Sequence, residues 1–217
     1  MFTCELPHGA DPHRLAWEHG YSIVRPLSTG GAFPKLTLTV QVRHHDRRVE
    51  PHVPAHVRSV IDDTAGAEPV PRQRLAAYAI VLSERGLLAT QFSDQTAVPG
   101  LWGLPGGGIN PGESPSQAVV REIMEETAQR LTIKRLLDLQ TDHWIGRSPA
   151  GVVEDFHAVR IIYSGVTPAP TEPVVNDVGG TTSRAAWVRL GDWSRLSWSQ
   201  GARTLLERHL QALTKRR

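Results

Sequence analysis

Cysteine occurs once, as Cys4, so an internal disulfide is excluded and a reducing compartment is expected. Lysine is confined to Lys35, Lys134 and Lys215, which leaves the basic character to arginine; with abundant Ala, Gly and Pro this points to a GC-rich genome. The 24 basic residues against 22 acids leave a formal charge of +2, too slight a surplus to recruit a nucleic-acid polymer or an anionic membrane. No apolar run approaches the roughly 20 residues needed to cross a bilayer. The opening residues, with Glu5, Pro7 and His8, lack the apolar stretch of a secretory signal, so a cytoplasmic location is expected. No internal repeat is found.

The 217 residues, 40% hydrophobic, suffice for one domain of ordinary size and a smaller one. Residues 1–70 read as a small α+β unit. Asp11 caps a short helix that begins at Pro12 and stops at Gly20. Strands are expected over 21–27, 36–43 and 47–53, the second marked by alternating Leu36, Leu38, Val40 and Val42. A helix is expected over 54–63, then a linker over 65–71. Histidines crowd this unit, and His44, His45, His52 and His56 raise the question of a zinc site. Pro54 breaks the helical spacing of His52 and His56, and Cys4 has no second thiol, so exposed or structural histidines are the better reading.

From Arg72 the pattern is mixed sheet and helix. Strands are expected over 75–82, 87–92, 131–141, 152–164 and 185–190, and an amphipathic helix over 199–213 with Leu205, Leu206, Leu210 and Leu213 inward. Loops fill 91–100 and 146–151.

The most informative stretch runs from Gly107 to Gln129. Ser114, Pro115 and Gln117 mark a helix start with a capping box. At about 100° per residue, Glu122, Glu125 and Glu126 share one face, at spacings where like charges repel. Val120, Ile123, Met124, Thr127 and Leu131 are assigned to the opposite, buried face. A solvated acidic face is the bland explanation; a site for a hard divalent cation, which takes oxygen ligands, is the sharp one.

The loop decides between them. Gly107, Glu113, Arg121, Glu122, Ile123, Glu125 and Glu126 stand at the spacing Gly-x5-Glu-x7-Arg-Glu-Ile-x-Glu-Glu, behind the lead-in Leu101-Trp102-Gly103-Leu104-Pro105-Gly106. This resembles the Nudix box and departs from it only at the end, where Ala128 replaces a glycine and Gln129 an aliphatic residue. Glycine would end the helix in a left-handed conformation, so the closure of the last turn is in question.

The resemblance implies an α/β fold, a Nudix-type α/β/α sandwich with a mixed sheet over residues 72–217. It also implies hydrolysis of a nucleoside diphosphate linked to another moiety, a nucleoside triphosphate (oxidised or not) or a nucleotide sugar. It carries over Glu122, Glu125 and Glu126 as ligands of Mg²⁺ or Mn²⁺, with the Gly107 carbonyl as a further oxygen, and Arg121 paired with Glu113 to hold loop and helix together. For the general base a box glutamate competes with Glu172 and Asp177; Glu154 and Asp155 are weaker candidates. Phe92, Trp102 and Trp144 are candidates for stacking on a base, with Trp102 and Trp187 also reading as core. The partner is a small nucleotide, with a homodimer through residues 1–70 as an option. A domain that binds a nucleotide without cleaving it is the rival reading, against which the intact carboxylates argue.

Overall fold

The computed structural model describes residues 3–45, 58–59, 68–148, 151–176 and 180–215. Helix α1 (Pro12–Glu18) starts as expected: the Asp11 carboxylate accepts the backbone N–H of His13 and Arg14, and Gly20 turns the chain at φ +87°. Strands β1 (Tyr21–Ala32) and β2 (Lys35–His44) then form an antiparallel hairpin. The strand expected at 47–53 lies outside the described residues. The helix expected over 54–63 is corrected where it can be seen. Arg58–Ser59 is a strand (β3) that pairs in parallel with Trp144 and Ile145, an open sheet edge overriding local helix propensity.

Among the described residues the main sheet has eight strands. Its central pair, β4 (Val70–Ser83) and β9 (Val153–Val166), runs parallel in unbroken register from Val70 against Glu154 to Leu82 against Val166. Strand β4 starts within the expected linker, because Val70 and Pro71 are already paired. On one side of β4 lies β5 (Gly86–Phe92), antiparallel to it, and then β10 (Thr182–Val188), antiparallel to β5; on the far side of β9 lies β8 (Thr132–Arg147), antiparallel to β9. Strands β8 and β9 extend beyond their expected limits, since each supplies the other's hydrogen bonds as far as Arg147 against Val153. The short β6 (Trp102–Gly103) pairs with β5, and β7 (Gly106–Gly108) with β4.

Residues alternate between the two sheet faces, and each face buries its own cluster. Ile80, Leu82, Leu137 and Ile162 pack with Leu205, Leu206 and Leu210 of the closing helix α3 (Gln200–Thr214). On the other face Ala77, Ala79, Val81, Leu139 and Ile161 pack under the box helix α2 (Pro115–Thr127), with Leu36, Leu38 and Val40 of β2 alongside. The result is the expected α/β/α sandwich around a mixed sheet. No helix among the described residues is long and apolar enough to cross a membrane.

Candidate active site

The box helix begins as its sequence dictates. Ser114 caps it, its hydroxyl accepting from the Gln117 N–H while the Gln117 side chain accepts from the Ser114 N–H. It ends on Ala128, which takes the left-handed conformation itself at φ 56°, ψ 22°, so the missing glycine does not lengthen the helix.

The buried face is turned from the one that hydrophobicity assigns: Ile123 and Thr127 are buried as expected, but two of the assigned residues are not. Val120 and Met124 are exposed, whereas Ala118, Val119, Ile123, Glu126 and Thr127 are buried. Small side chains let the helix lie close on the sheet, and the turn is set by Glu126 as much as by the apolar residues. Its Oε2 accepts the Gly106 backbone N–H at 2.9 Å and its Oε1 the Thr182 hydroxyl. A buried carboxylate with both oxygens satisfied by the sheet fixes the rotation of the helix.

Arg121 gathers the other acids. Its Nε and Nη2 donate to both oxygens of Glu113, at 2.7 and 2.9 Å. Nη2 also donates to the Gly108 carbonyl, and Nη1 to Glu122 Oε1 and Glu125 Oε2, each at 2.9 Å. One planar fork therefore ties loop, strand β7 and two helical carboxylates together. The hydrogen bonds from Arg121 hold Glu113 below the usual carboxylate range. Glu122 is pushed the other way: burial raises it, Arg121 opposes, and the neighbouring Glu125 adds to the rise.

Gly107 explains where Glu122 goes. A Cβ built at 107 would lie 2.5 Å from the Glu122 carboxyl carbon and 2.6–2.7 Å from its oxygens. The strand thus presents bare backbone to the carboxylate. The converging donors are all oxygen, the chemistry that suits a hard divalent cation, and the group that burial charges least comfortably sits at their centre. Arg74, on β4 beside Gly108, faces Glu122 from the sheet. Sequence reading did not single it out, since a lone arginine before an apolar run carries no signal of its own.

The aromatic candidates divide. Phe92 stands opposite Thr182, whose hydroxyl holds Glu126, and its ring covers Gly103, so it lies near the box. Trp102 is buried in the cluster beneath α3, with the Arg184 guanidinium over its ring at 5.8 Å, and offers no open face for stacking on a base. Trp144 packs on Phe156, which is level with Arg72; that is five residues from Ala77, the partner of Gly107, or about 16 Å along the strand. Trp144 is therefore remote from the box. Trp187 donates its indole N–H to the Thr171 carbonyl at 2.8 Å.

Of the acids proposed as bases, Glu172 pairs with Arg85 in the turn between β4 and β5, away from the box carboxylates. Asp177 lies outside the described residues. Glu154 pairs with Arg72, and Asp155 with His8 and His143. Among the histidines considered for zinc, His45 stacks on Trp17 and contacts its carbonyl, and His44 packs on Tyr21. His52 and His56 lie outside the described residues.

Gln129 takes the place of an aliphatic side chain, yet it is buried. Its amide nitrogen donates to the Thr171 hydroxyl at 2.9 Å, and its oxygen accepts the Thr171 N–H at 3.1 Å. The segment that follows caps the helix end: the backbone N–H groups of Val174 and Asn176 donate to the carbonyls of Thr127 and Glu125.

Known proteins resemble this chain over the part that carries the box. The family model described as NUDIX domain matches residues 72–209. The nucleoside triphosphatase NudI of Enterobacter sp. (strain 638) is 43% identical over 95 residues, 42% of this chain and 67% of that protein. NudI of Escherichia fergusonii is 27% identical over 138 residues, 62% of this chain and 95% of that protein. Among solved structures, the NUDIX domain of Shewanella oneidensis NrtR, complexed with ADP ribose, superposes with a TM-score of 0.51 at 23% identity, covering 65% of this chain and 89% of that one. The MutT protein from Methanosarcina mazei Go1 does so with a TM-score of 0.51 at 21% identity, covering 65% and 95%. Both structures share the fold.

Proposed function

The chain belongs to the NUDIX domain family, hydrolases acting on phosphoric anhydrides, and from that membership we propose that it is a Mg²⁺- or Mn²⁺-dependent pyrophosphohydrolase of nucleoside triphosphates. The substrate class follows the NudI relatives, whose name describes nucleoside triphosphatases. The observation that carries the reading is the convergence on Arg121: a single side chain brings Glu113, Glu122, Glu125 and the Gly108 carbonyl into one cluster.

Glu122, Glu125 and Glu126 hold the cation, with the Gly107 carbonyl as a further oxygen. When bound, it neutralises the substrate's phosphates and lowers the pKa of a coordinated water. Arg121 and Glu113 position the ligands and touch no substrate. Arg74 faces the same cluster from β4 and would contact a phosphate of the substrate. The proton acceptor is a box glutamate, with Asp177 and Glu172 as the alternatives, Glu172 being paired with Arg85 at the surface. Phe92 packs on the base. The tip of the N-terminal hairpin β1–β2 leans on the box loop, through the Phe33 N–H on the Glu113 carbonyl and the Gly112 N–H on that of Phe33. The nucleotide is the partner, and pairing through the hairpin makes a homodimer, which light scattering tests.

Incubation with a panel of nucleoside triphosphates and Mg²⁺, followed by assay of released phosphate and pyrophosphate, tests the proposal. Turnover is expected in the wild type and a fall of orders of magnitude in Glu126→Gln. The amide fits the same place, accepting from Gly106 and donating to Thr182, so the fold is retained. Binding of the panel without any turnover would instead make the chain a nucleotide sensor.

A further inference from the structure

Well away from the box, side chains far apart in sequence meet on one face of the sheet. His143 on β8 stands opposite His157 on β9, and Asp155 is two residues from His157, hence on the same face. The N-terminal segment lays His8 over them. Nε2 of His8 and Nε2 of His143 approach the same atom, Asp155 Oδ1, at 3.3 and 2.5 Å. The three donor atoms lie within 4.8 Å of one another. The His157 ring is centred 5.5 Å from that of His8 and 5.9 Å from that of His143. It is fully buried, and its Nε2 has no hydrogen-bond partner.

We propose that His8, His143 and Asp155, with His157 beside them, form a binding site for a transition-metal dication, Zn²⁺ before others, which fastens the N-terminal segment to the sheet. Imidazole nitrogens with a single carboxylate are the donor set of zinc, whereas the box offers oxygen alone, so the two sites select different ions. Zinc bonds of about 2.0–2.2 Å place tetrahedral ligands roughly 3.3–3.6 Å apart. The His8–Asp155 separation already has that value, and the His143–Asp155 hydrogen bond has to open by about 1 Å to admit the ion.

Two further features fit a ligand. A buried imidazole nitrogen without a partner calls for an explanation. The other nitrogen of His157, Nδ1, lies 3.0 Å from the Gln73 side-chain amide nitrogen, which fixes the orientation of the ring. The segment that carries His8 is also shaped to lie here. Gly9 adopts φ +75°, and a Cβ there would meet the His143 ring at 2.6 Å, so only glycine lets the chain pass so near. Gln73, level with His157, is four residues from Ala77 on β4, which puts the cluster about 13 Å from the box along the strand.

The test uses the full chain, stripped with a chelator and titrated with Zn²⁺ alone, with metal content and calorimetry as readouts. One Zn²⁺ per chain is expected in the wild type and in Glu122→Gln, with affinity reduced at least tenfold in His8→Ala and in Asp155→Asn. His8 is exposed, so its loss leaves the fold intact, as circular dichroism will verify. Cobalt-loaded wild type should show tetrahedral visible bands that His8→Ala lacks. Absence of stoichiometric zinc, unchanged affinity in both cluster variants, or zinc lost in Glu122→Gln instead, would overturn the proposal and leave a hydrogen-bonded His–Asp network.

Discussion

The carboxyl group of Glu122 rests on the backbone of Gly107, in space that any side chain at 107 would claim. The contact makes Gly107→Ala a probe of the ligand set. Gly107 has no left-handed backbone to strain, and its new Cβ would meet the end of a flexible side chain. The melting temperature should change little, while Glu122 is pushed off its position. Mg²⁺ affinity measured by calorimetry should fall about tenfold, equivalent to about 1.4 kcal/mol. Unaltered affinity would separate Gly107 and Glu122 from the cation.

Arg121→Lys tests whether Arg121 acts by charge or by shape. Lysine keeps the charge but cannot span Glu113, the Gly108 carbonyl, Glu122 and Glu125 at once. Losing charge-assisted hydrogen bonds around a half-buried carboxylate should destabilise the fold by about 1–3 kcal/mol. Turnover should fall more than tenfold even where the protein is fully folded. Denaturant unfolding read beside steady-state kinetics will show the two losses separately, and lysine that restores full activity would reduce Arg121 to a point charge.

The two departures at the end of the box should respond in opposite directions. Ala128 holds a left-handed conformation that costs a non-glycine residue about 1–2 kcal/mol, so Ala128→Gly should raise the melting temperature by about 2–4 °C. Gln129→Leu, although it restores the aliphatic residue of the box pattern, should destabilise by about 1–3 kcal/mol. It strips the Thr171 N–H of its acceptor beside a buried apolar side chain. Calorimetric melting of both variants checks the pair, and the same sign for both would undo the argument.

The legible parts of this molecule are those where neighbours in sequence are neighbours in space. The capping box at Ser114, the alternation in β2 and the inward leucines of α3 are local patterns, and the structure repeats them. The spacing of Gly107, Glu113, Arg121 and the glutamates was readable because a loop and a single helix carry it. The rotation of α2 was not, because apolarity weights Val120 and Met124, whereas a hydrogen-bonded Glu126 and the small Ala118 set the contact. Arg74, Thr182 and the meeting of His8 with His143 and Asp155 depend on strand register, which no short window contains. Chain ends of strands were underestimated for the same reason: β8 and β9 lengthen each other.

Asp138 supplies a pH test that involves neither the box glutamates nor the His8–His143–Asp155 cluster. Burial alone would raise its carboxyl, but hydrogen bonds from His209 and the Leu139 N–H, together with the charge of Arg208, outweigh it and leave it below its ordinary value of 3.8. A carboxylate whose folded pKa is depressed binds protons more readily in the unfolded chain, so stability must rise with pH across that interval. The contribution is therefore complete above about pH 4 and is lost as pH falls through the lower, folded value. Asp138→Asn should be less stable than the wild type at neutral pH, and the gap between the two should narrow as the pH drops below about 3.8. Urea unfolding at a series of pH values measures that gap; curves that stay parallel down to pH 2 would mean that Asp138 is not the group that titrates.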